Sequence, residues 1–595
     1  MTVYQSPAKI DLGLDRIIRF LEHTLPEDPR AKLRVIHVAG TNGKGSVCAL
    51  VAEAAMAAGY KVGIFNSPHF LEPNDAIRVQ GQAITAAEYA ELRAWIVALD
   101  TEAQSPAGFL TPFEVTTVTA IWWLAKHEVE LAVIEVGVGG LRDATNVFGL
   151  ADGRISPMGV GRSLVQCICP VDEDHLGTIG DTLEDIAREK SGIMRPGSWI
   201  VLANQERSKA FHIIQHQALL NSPQQIVNVR RQPCSDIHVP NFSIKYDTDN
   251  GDLSPIIRPL PSIPKWATFN GNGRRCLHVK YPPLLDTYTK ILPPAPDVAP
   301  SSPPDFSRTK KELDLPLVLP GDYQSGNASV AFYALDVLRT YYGYDKLSDA
   351  AIQTGFQNVN WPGRLSWLFF DRPSPPTADT PLPAANDDRN AATTTLAVAE
   401  HKPSSSSRSS TSSSGSSKIG HPICQHRHNQ AVKLNEWILA DGAHNEPAAA
   451  ELRNYVDVTL RRLSMHRYIQ PRDNCPLSYT PPVRWIIGFS RGKSMTAILS
   501  RMVQPGDSLW LVPFSKPCEM PWIDCEATDA IYSAAQKIPD IEKIQVEQFD
   551  SLASALDSLT ADTFGTYMNV LCGSLYLVAD LYRELKIRPF DAQTF

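Results

Sequence analysis

The sequence has little that would support a secreted or membrane-bound protein. Its ten cysteines among 595 residues show no paired spacing, so neither a disulfide framework nor a cysteine-rich metal site is predicted. No run of about 18 apolar residues occurs, and a membrane-spanning helix is therefore not expected. The first residues lack the apolar core of a signal peptide, and Asp11, Asp15 and Glu22 argue against a transit peptide. We expect the cytoplasm, with a mitochondrial pool as the alternative.

The excess of acidic over basic residues is also small. The formal net charge is −8 and 20% of residues are charged, so neither nucleic acid nor an anionic membrane is expected as a partner. Apolar residues make up 43% of the chain, enough for more than one core. Two stretches, about 234–312 and 371–432, read as a loop-like insertion and a low-complexity insertion. We predict two domains, 1–362 and 363–595, in a monomer.

A glycine-rich turn between a strand and a helix organises the first part of the chain. Residues 35–39 predict a buried strand and residues 47–58 a helix. The residues between them are Gly40, Thr41, Asn42, Gly43, Lys44, Gly45 and Ser46. This layout is typical of a phosphate-binding loop, in which Lys44 would reach the distal phosphates and Ser46 would bind Mg²⁺. Gly45 breaks the usual consensus, and a plain glycine turn is the alternative.

A single carboxylate interrupts the next apolar strand. Residues 131–136 read as a strand buried on both faces, and Glu135 lies within it. A bare carboxylate there would be costly, so it needs a partner. Mg²⁺ at the carboxyl end of a parallel strand is the expected partner, and a salt bridge at the end of the strand is the alternative.

Four segments occur along the chain in a specific order. They are Gly40–Ser46, Glu135 with Asp143-Ala144-Thr145-Asn146, the stretch from Asp174 through Ile193, and Asp441-Gly442-Ala443-His444-Asn445. In this order they resemble the Mur ligase superfamily and, within it, the family of folylpolyglutamate synthases and dihydrofolate synthases. The resemblance covers most of residues 10–203 and 317–595. It implies an α/β fold with a P-loop-containing N-terminal Mur-ligase-like domain and a Rossmann-like C-terminal domain.

The resemblance also implies roles for individual residues. The catalytic set is Lys44, Glu135, His175 and Lys190, and the metal set is Ser46, Glu135 and His175. On the nucleotide side, Asn327, Arg364, Asp441 and His444 join the seven residues of the glycine loop, with Gln324 and Lys493 as weaker candidates. Substrate candidates are Ser67, His69, Arg78, Phe113 and Glu114. Each has a structural alternative, such as a turn, a core position or a helix cap.

Two of these roles, and one local departure from the family sequence, need comment. Imidazole is an unusual Mg²⁺ ligand, so spacing alone favours a structural role for His175. Lys190 matches a family lysine that is often carried as a carbamate, and a helix-surface lysine is the alternative. Family members usually read Gly-Gly-Arg-Leu-Asp where this chain has Gly139-Gly140-Leu141-Arg142-Asp143, which puts the role of Arg142 in doubt.

The chemistry that the resemblance implies is ATP- and Mg²⁺-dependent amide formation. A carboxylate substrate would become an acyl phosphate, and the amine of L-glutamate would then attack it. We predict dihydropteroate as the carboxylate substrate, with a folate that already carries glutamate as the alternative. Two other classes stay open: a P-loop kinase, which would not consume glutamate, and an inactive paralogue that only binds nucleotide.

Overall fold

Two β-sheets carry the helices of the chain. The computed structural model describes residues 11–24, 32–103, 108–149, 161–221, 225–229, 275–280, 312–369, 437–461, 482–561 and 567–590. Both sheets belong to one compact unit drawn from residues 1–370 and 434–595. Residues 371–433, which include the predicted low-complexity insertion, lie outside the described residues. The domain boundary near residue 362 stays a prediction.

The first sheet has eight strands in the order β4-β3-β2-β5-β1-β6-β7-β8. These are β1 (Arg34–Ala39), β2 (Val62–Phe65), β3 (Ile77–Val79), β4 (Gln82–Ala83), β5 (Leu131–Glu135), β6 (Arg162–Ile168), β7 (Trp199–Leu202) and β8 (Gln225–Asn228). All neighbours run parallel except β2 with β3 and β3 with β4. The carboxyl ends of β1, β2 and β5 therefore meet at one edge, where α/β sheets bind ligands.

Eight helices accompany this sheet in the described chain. They are α1 (Asp15–Thr24), α2 (Lys44–Ala57), α3 (Ala86–Ala103), α4 (Pro112–Lys126), α5 (Leu183–Ser191), α6 (Ser208–Leu220), α7 (Tyr323–Tyr341) and α8 (Asp349–Asn358). The helix α2 is buried on most sides because α7 and α8 cover it. A Cβ at Gly355 of α8 would lie 2.6 Å from the backbone of Glu53, so a glycine lets the two helices approach closely. This packing fixes α2, and with it the glycine turn.

The second sheet has six strands in the order β11-β12-β16-β13-β14-β15. Its elements are β11 (Ser366–Phe369), β12 (Trp437–Ala440), α9 (Glu446–Tyr455) with a π-helical continuation Val456–Arg461, β13 (Val483–Ile487), α10 (Met495–Met502), β14 (Ser508–Leu511), α11 (Thr528–Ala535), β15 (Gln545–Gln548), α12 (Leu552–Ala561), β16 (Met568–Cys572) and α13 (Leu575–Glu584). Only β11 runs antiparallel to its neighbour. The predicted α/β class is confirmed, and no helix among the described residues is long and apolar enough to cross a membrane.

The prediction of a loop over 234–312 is wrong for one part of it. Residues Arg275–Lys280 form β9, which pairs antiparallel with β10 (Glu312–Leu317) in a two-stranded sheet. A strand of this length in a Pro-rich stretch gives a weak pattern, and its partner lies at the far end of the segment. The other residues of the predicted loop, up to 311, lie outside the described residues.

One polar side chain sits in the middle of β1. His37 is 1% exposed, and its Nε2 lies 2.9 Å from Thr145 Oγ1. Burial, together with the charge of Arg195, lowers the pKa of His37 to about 3. The folded protein therefore holds this imidazole neutral at pH values where the unfolded chain protonates it.

Stability should fall in acid because of this histidine. Below the ordinary pKa of about 6.5 only the unfolded chain gains a proton at His37, so the free energy of unfolding falls by about 1.4 kcal/mol per pH unit down to pH 4. We expect His37→Gln to reduce that slope by one proton, as measured by urea unfolding at several pH values. His212→Gln, at an exposed helix position, is the control. An unchanged slope in His37→Gln would contradict the assignment.

Candidate active site

The glycine turn after β1 has the backbone geometry of the predicted phosphate-binding loop. Gly40 has φ +144° and Gly43 has φ +92°, conformations that residues with a Cβ rarely adopt. A Cβ at Gly40 would lie 2.5 Å from the Cβ of Cys169, and one at Gly43 would collide with the Asn327 side chain. The turn leads directly into α2, whose first N–H groups and dipole favour an anion.

Two lysines converge on the carbonyl oxygen of Gly40. Lys44 Nζ donates to it over 3.2 Å and to the carbonyl of Thr41 over 3.3 Å, and Lys190 Nζ donates to it over 3.1 Å. Lys190 is 3% exposed, so the alternative of a helix-surface lysine is wrong. Burial and the nearby Lys44 charge lower the pKa of Lys190 to about 7. A substantial fraction of Lys190 is therefore neutral at pH 7.

Glu135 ends β5 with only 5% of its surface exposed, as predicted. Asn66 Nδ2 donates to Glu135 Oε2 over 2.9 Å, while Glu135 Oε1 lies 4.0 Å from Lys44 Nζ. Burial raises the pKa of Glu135, although Lys44, Asn66 and Arg364 oppose that shift. One carboxylate oxygen is thus held by an amide, and the other faces the lysine of the glycine loop.

Residues from distant segments pack against Gly45 and Ser46, the last two residues of the glycine loop. Ser46 is 2% exposed and its Oγ accepts a hydrogen bond from Gln324 Nε2 over 3.3 Å. Asn327 Nδ2 donates to Gln324 Oε1 over 2.9 Å. A Cβ at Gly45 would lie 2.6 Å from Trp361 Cζ2. The extra glycine is therefore required by the packing of a tryptophan against the loop.

Ser67 and His69, two of the predicted substrate residues, follow β2. Their Oγ and Nε2 atoms are buried, and the described chain offers neither of them a hydrogen-bond partner. Burial lowers the pKa of His69 to about 4, against the influence of Glu519, so its imidazole is neutral at pH 7. Buried polar atoms of this kind usually bind a ligand or water. Both residues remain substrate candidates.

The predicted substrate residues Phe113 and Glu114 start α4. Glu114 Oε2 accepts hydrogen bonds from the Thr111 N–H over 2.6 Å and from Arg16 Nε over 3.0 Å. The carboxylate therefore caps its own helix, which is the structural alternative, and a contact with substrate stays a prediction. The ring of Phe113 packs against Gly137, where a Cβ would collide with it.

Arg78 is 3% exposed, although we predicted that it binds a substrate anion. Its Nη2 donates to Asn66 Oδ1, and its Cζ lies 4.1 Å from the ring centroid of Phe590 and 5.4 Å from that of Trp361. Burial lowers the pKa of Arg78 to about 10, which still leaves it charged. The guanidinium connects to the site through Asn66, and direct contact with substrate stays a prediction.

Asp441 directly follows β12 and holds the turn beside Arg364. Its Oδ1 accepts the Ala443 N–H and its Oδ2 accepts the Leu365 N–H, both over 2.8 Å. A Cβ at Gly442 would collide with the Arg364 guanidinium, so the glycine leaves room for this cation. The carboxylate thus holds the backbone next to Arg364 in place.

An ion-pair cluster joins the loop after β6 to the second sheet. Asp174 Oδ1 lies 3.1 Å from Lys493 Nζ, and Asp174 Oδ2 lies 3.8 Å from His175 Nε2. Burial alone would raise the pKa of Asp174, but His175, Lys493 and His444 lower it below its usual range. Burial lowers the pKa of both His175 and His444 to about 4.

The glycine loop also contacts both sides of the cleft directly. Asn445, which caps α9 beside the second sheet, donates from Nδ2 to Asn42 Oδ1 over 3.2 Å. Thr41 Oγ1 donates to the carbonyl oxygen of Asp172 over 2.9 Å. The loop, Glu135 and the Asp441–Asn445 segment therefore form one continuous site between the sheets.

Known proteins resemble this chain along its length. Residues 424–584 match the family model described as dihydrofolate synthetase, C-terminal domain. The probable dihydrofolate synthetase of Schizosaccharomyces pombe is 25% identical, with 97% of this chain and 99% of that protein covered. The dihydrofolate synthetase of Saccharomyces cerevisiae is 26% identical, with 96% of this chain and 98% of that protein covered.

Solved structures share the fold. Escherichia coli FolC in complex with DHPP and ADP has a TM-score of 0.56 at 20% identity, with 98% of this chain and 95% of that chain covered. A bifunctional folylpolyglutamate synthase/dihydrofolate synthase with Mn, AMPPNP and L-glutamate bound also has a TM-score of 0.56 at 20% identity. The match covers 97% of this chain and 95% of that chain.

In sequence over nearly its whole length, and in fold, this chain thus resembles the dihydrofolate synthases and folylpolyglutamate synthases. It is an ATP-dependent carbon–nitrogen ligase.

The folate ligase site has oxygen ligands suited to a divalent cation. Ser46 Oγ and Glu135 Oε1 are hard oxygen ligands of the kind that Mg²⁺ prefers. Among the described residues, no three His, Cys, Asp or Glu side chains form a group that could hold a metal ion. A cation here would therefore complete its shell with nucleotide oxygens and water. The metal-binding role of His175 stays a prediction.

Sequence reasoning missed two groups in the folate ligase site. Asn66 was passed over as part of a substrate motif, although it follows β2 and must lie beside the end of β5 in a parallel sheet. That adjacency is a signal that strand order alone would have supplied. Trp361 packs on the glycine loop from a distant segment, and no local pattern marks it.

The structure also gives Arg142 a partner at the point where the sequence departs from the family pattern. Arg142 Nε pairs with Glu189 Oε2 over 3.0 Å.

Proposed function

We propose that this enzyme joins L-glutamate to dihydropteroate with ATP and Mg²⁺, and so makes dihydrofolate. Similarity to two fungal dihydrofolate synthetases over nearly the whole chain supports this substrate. The observation that carries the chemistry is one site in which the lysine of the glycine loop faces a buried carboxylate, Lys44 Nζ to Glu135 Oε1 being 4.0 Å.

In the first step, a carboxylate oxygen of the pteroate would attack the γ-phosphorus, the bond to the ADP oxygen would break, and an acyl phosphate would form. The glutamate amine would then attack the acyl carbon, lose a proton, and release phosphate. Mg²⁺, held by Ser46 and Glu135, would neutralise phosphate charge. Lys44 and Arg364 suit the same task from the two sides of the cleft, and the neutral His69 suits hydrogen bonding to the pterin-bearing substrate.

We further propose that Lys190 carries a carbamate. Its burial and its pKa of about 7 support this, because carbamates form from the neutral amine. The negative group would turn a lysine beside the glycine loop into an oxygen ligand. Enzyme prepared in ¹³C-bicarbonate should show a carbamate resonance that Lys190→Ala lacks, and a spectrum without that resonance would remove the carbamate from the proposal.

A substrate comparison tests the function. Purified enzyme with ATP, Mg²⁺ and L-glutamate should form product with dihydropteroate faster than with a tetrahydrofolate that already carries glutamate. Product from tetrahydrofolate species alone would make the enzyme a folylpolyglutamate synthase. Phosphorylated product without consumption of glutamate would instead identify a kinase.

Three organisational features belong to the same proposal. The domains would divide at residues 362 and 363, the enzyme would act as a monomer, and it would work in the cytoplasm. A sedimentation experiment at micromolar concentration that gives twice the 65.5 kDa chain mass would overturn the monomer.

A further inference from the structure

We infer that the segment from Arg583 to Phe590 is a positioning element of the ligase site. In this inference, Phe590 holds Arg78 against Asn66, and Asn66 in turn orients Glu135. Because it concerns the metal-binding carboxylate, the inference rests on the proposed function. It assigns a role in the site to a residue that follows the last helix of the second sheet and is not itself among the residues predicted to bind nucleotide, metal or substrate.

The first step is the contact between Phe590 and Arg78. Phe590 is 9% exposed, and the centroid of its ring lies 4.1 Å from Arg78 Cζ. The ring of Trp361 lies 5.4 Å from the same atom. A buried guanidinium near two aromatic rings has few orientations open to it, and cation–π attraction favours the observed one.

The second step is the orientation of an amide. Because Arg78 Nη2 donates to Asn66, the atom that it meets must be Oδ1, since the Asn66 NH₂ group has no lone pair to accept. The Nδ2 group must then point the other way, where it donates to Glu135 Oε2 over 2.9 Å. Arg78 thus fixes which end of the amide faces the carboxylate, and leaves Glu135 Oε1 for Lys44 and a cation.

The third step is the attachment of the segment itself. The Ala83 N–H donates to the Phe590 carbonyl over 3.3 Å, and Arg583 Nη2 donates to the Leu71 carbonyl. The guanidinium groups of Arg583 and Arg588 each lie 3.9 Å from Glu72 Oε1. The segment is therefore held against the loop before β3 and against β4, the neighbour of the strand that carries Arg78. These contacts fix the position of Phe590 relative to Arg78.

Metal affinity is the readout that separates positioning from general packing. We would measure Mn²⁺ binding by electron paramagnetic resonance in the presence of AMPPNP, for the full chain and for Phe590→Leu and Phe590→Tyr. Removing the aromatic face in Phe590→Leu should weaken Mn²⁺ binding about tenfold, as loss of an outer partner of a metal ligand does. Phe590→Tyr keeps the face and should stay close to wild type. Phe549→Leu, whose ring packs 4.7 Å from Trp510 in the second sheet, is the matched control.

A double-mutant cycle tests the route. If Phe590 acts through Asn66, Phe590→Leu should add almost nothing to the loss already caused by Asn66→Ala, whereas independent effects would multiply. Arg78→Lys, which keeps the charge but loses the planar fork, should weaken Mn²⁺ binding like Phe590→Leu.

The outcomes separate the inference from the proposed function. Wild-type protein that binds no Mn²⁺ with AMPPNP would overturn the proposed metal site, and the inference with it. Wild-type binding with unchanged affinity in Phe590→Leu and Arg78→Lys would overturn the inference alone. Multiplicative effects in the double mutant would likewise exclude the route through Asn66.

Discussion

Replacing Lys44 by alanine should reduce dihydrofolate formation by about 10³-fold or more while the protein stays folded. Lys44 Nζ lies 4.0 Å from Glu135 Oε1, and Lys44 is the first residue of α2. Lys190 should not take its place, because burial and the Lys44 charge lower the pKa of Lys190 to about 7 and leave much of it uncharged at pH 7. The loss should therefore be one of turnover, measured as glutamate-dependent product formed per enzyme.

The stability cost of Lys44→Ala should be small by comparison. The substitution removes two hydrogen bonds to loop carbonyls, each contributing about 1 kcal/mol, and Lys190 still donates to the Gly40 carbonyl. Lys61→Ala, at an exposed position beyond the same helix, is the control and should keep wild-type activity. Full activity in a folded Lys44→Ala variant would rule out the phosphate-binding loop.

Glu135→Gln should lose activity by a similar factor, yet should be no less stable than the wild type. Burial raises the pKa of Glu135, so the folded protein binds its proton more tightly than the unfolded chain does. This carboxylate therefore destabilises the folded protein increasingly as the pH rises above the ordinary value of about 4.5. Glutamine keeps the shape without the buried charge. We expect a melting temperature about 2 °C above wild type at pH 8 and a smaller difference at pH 5.

A lower melting temperature for Glu135→Gln at pH 8 would contradict this account, because it would mean that the Lys44–Glu135 pair stabilises the fold. Calorimetry without nucleotide or metal isolates the effect, since ligand binding would add its own stabilisation. The prediction describes a site in which a costly buried charge is kept for its function.

Much of the fold could be predicted from local pattern. Apolar runs bounded by turns located β1, β2 and β5, and the glycine turn was identified from its residues alone. The strand predictions succeed because strands buried on both faces must be continuously apolar, and the turn could be located because positive φ angles favour glycine. Its phosphate-binding role stays a prediction. The strand Arg275–Lys280 was missed because its pairing partner is distant in the chain and its own pattern is short.

In the candidate site, burial could be predicted from the sequence, but side-chain contacts could not. The burial of Glu135 followed from its place in an apolar strand, and it is confirmed. Glu114 and Arg78 were assigned to substrate by motif, and those roles stay predictions. What the motif did not give is that Glu114 caps its helix and that Arg78 contacts Asn66 and two aromatic rings. A motif records residue types along the chain, whereas the direction of a side chain depends on what packs around it.

By itself, the sequence determined the α/β class and the position of the glycine turn, since apolar strand patterns and the backbone freedom of glycine are local properties. The tertiary structure decided how the parts work together. It brought Lys190 and Lys44 to one carbonyl, placed Trp361 against Gly45, and linked Phe590 through Arg78 and Asn66 to Glu135. Most of these contacts join residues that are distant in the chain, and their energies arise from burial and mutual orientation, which no local pattern records.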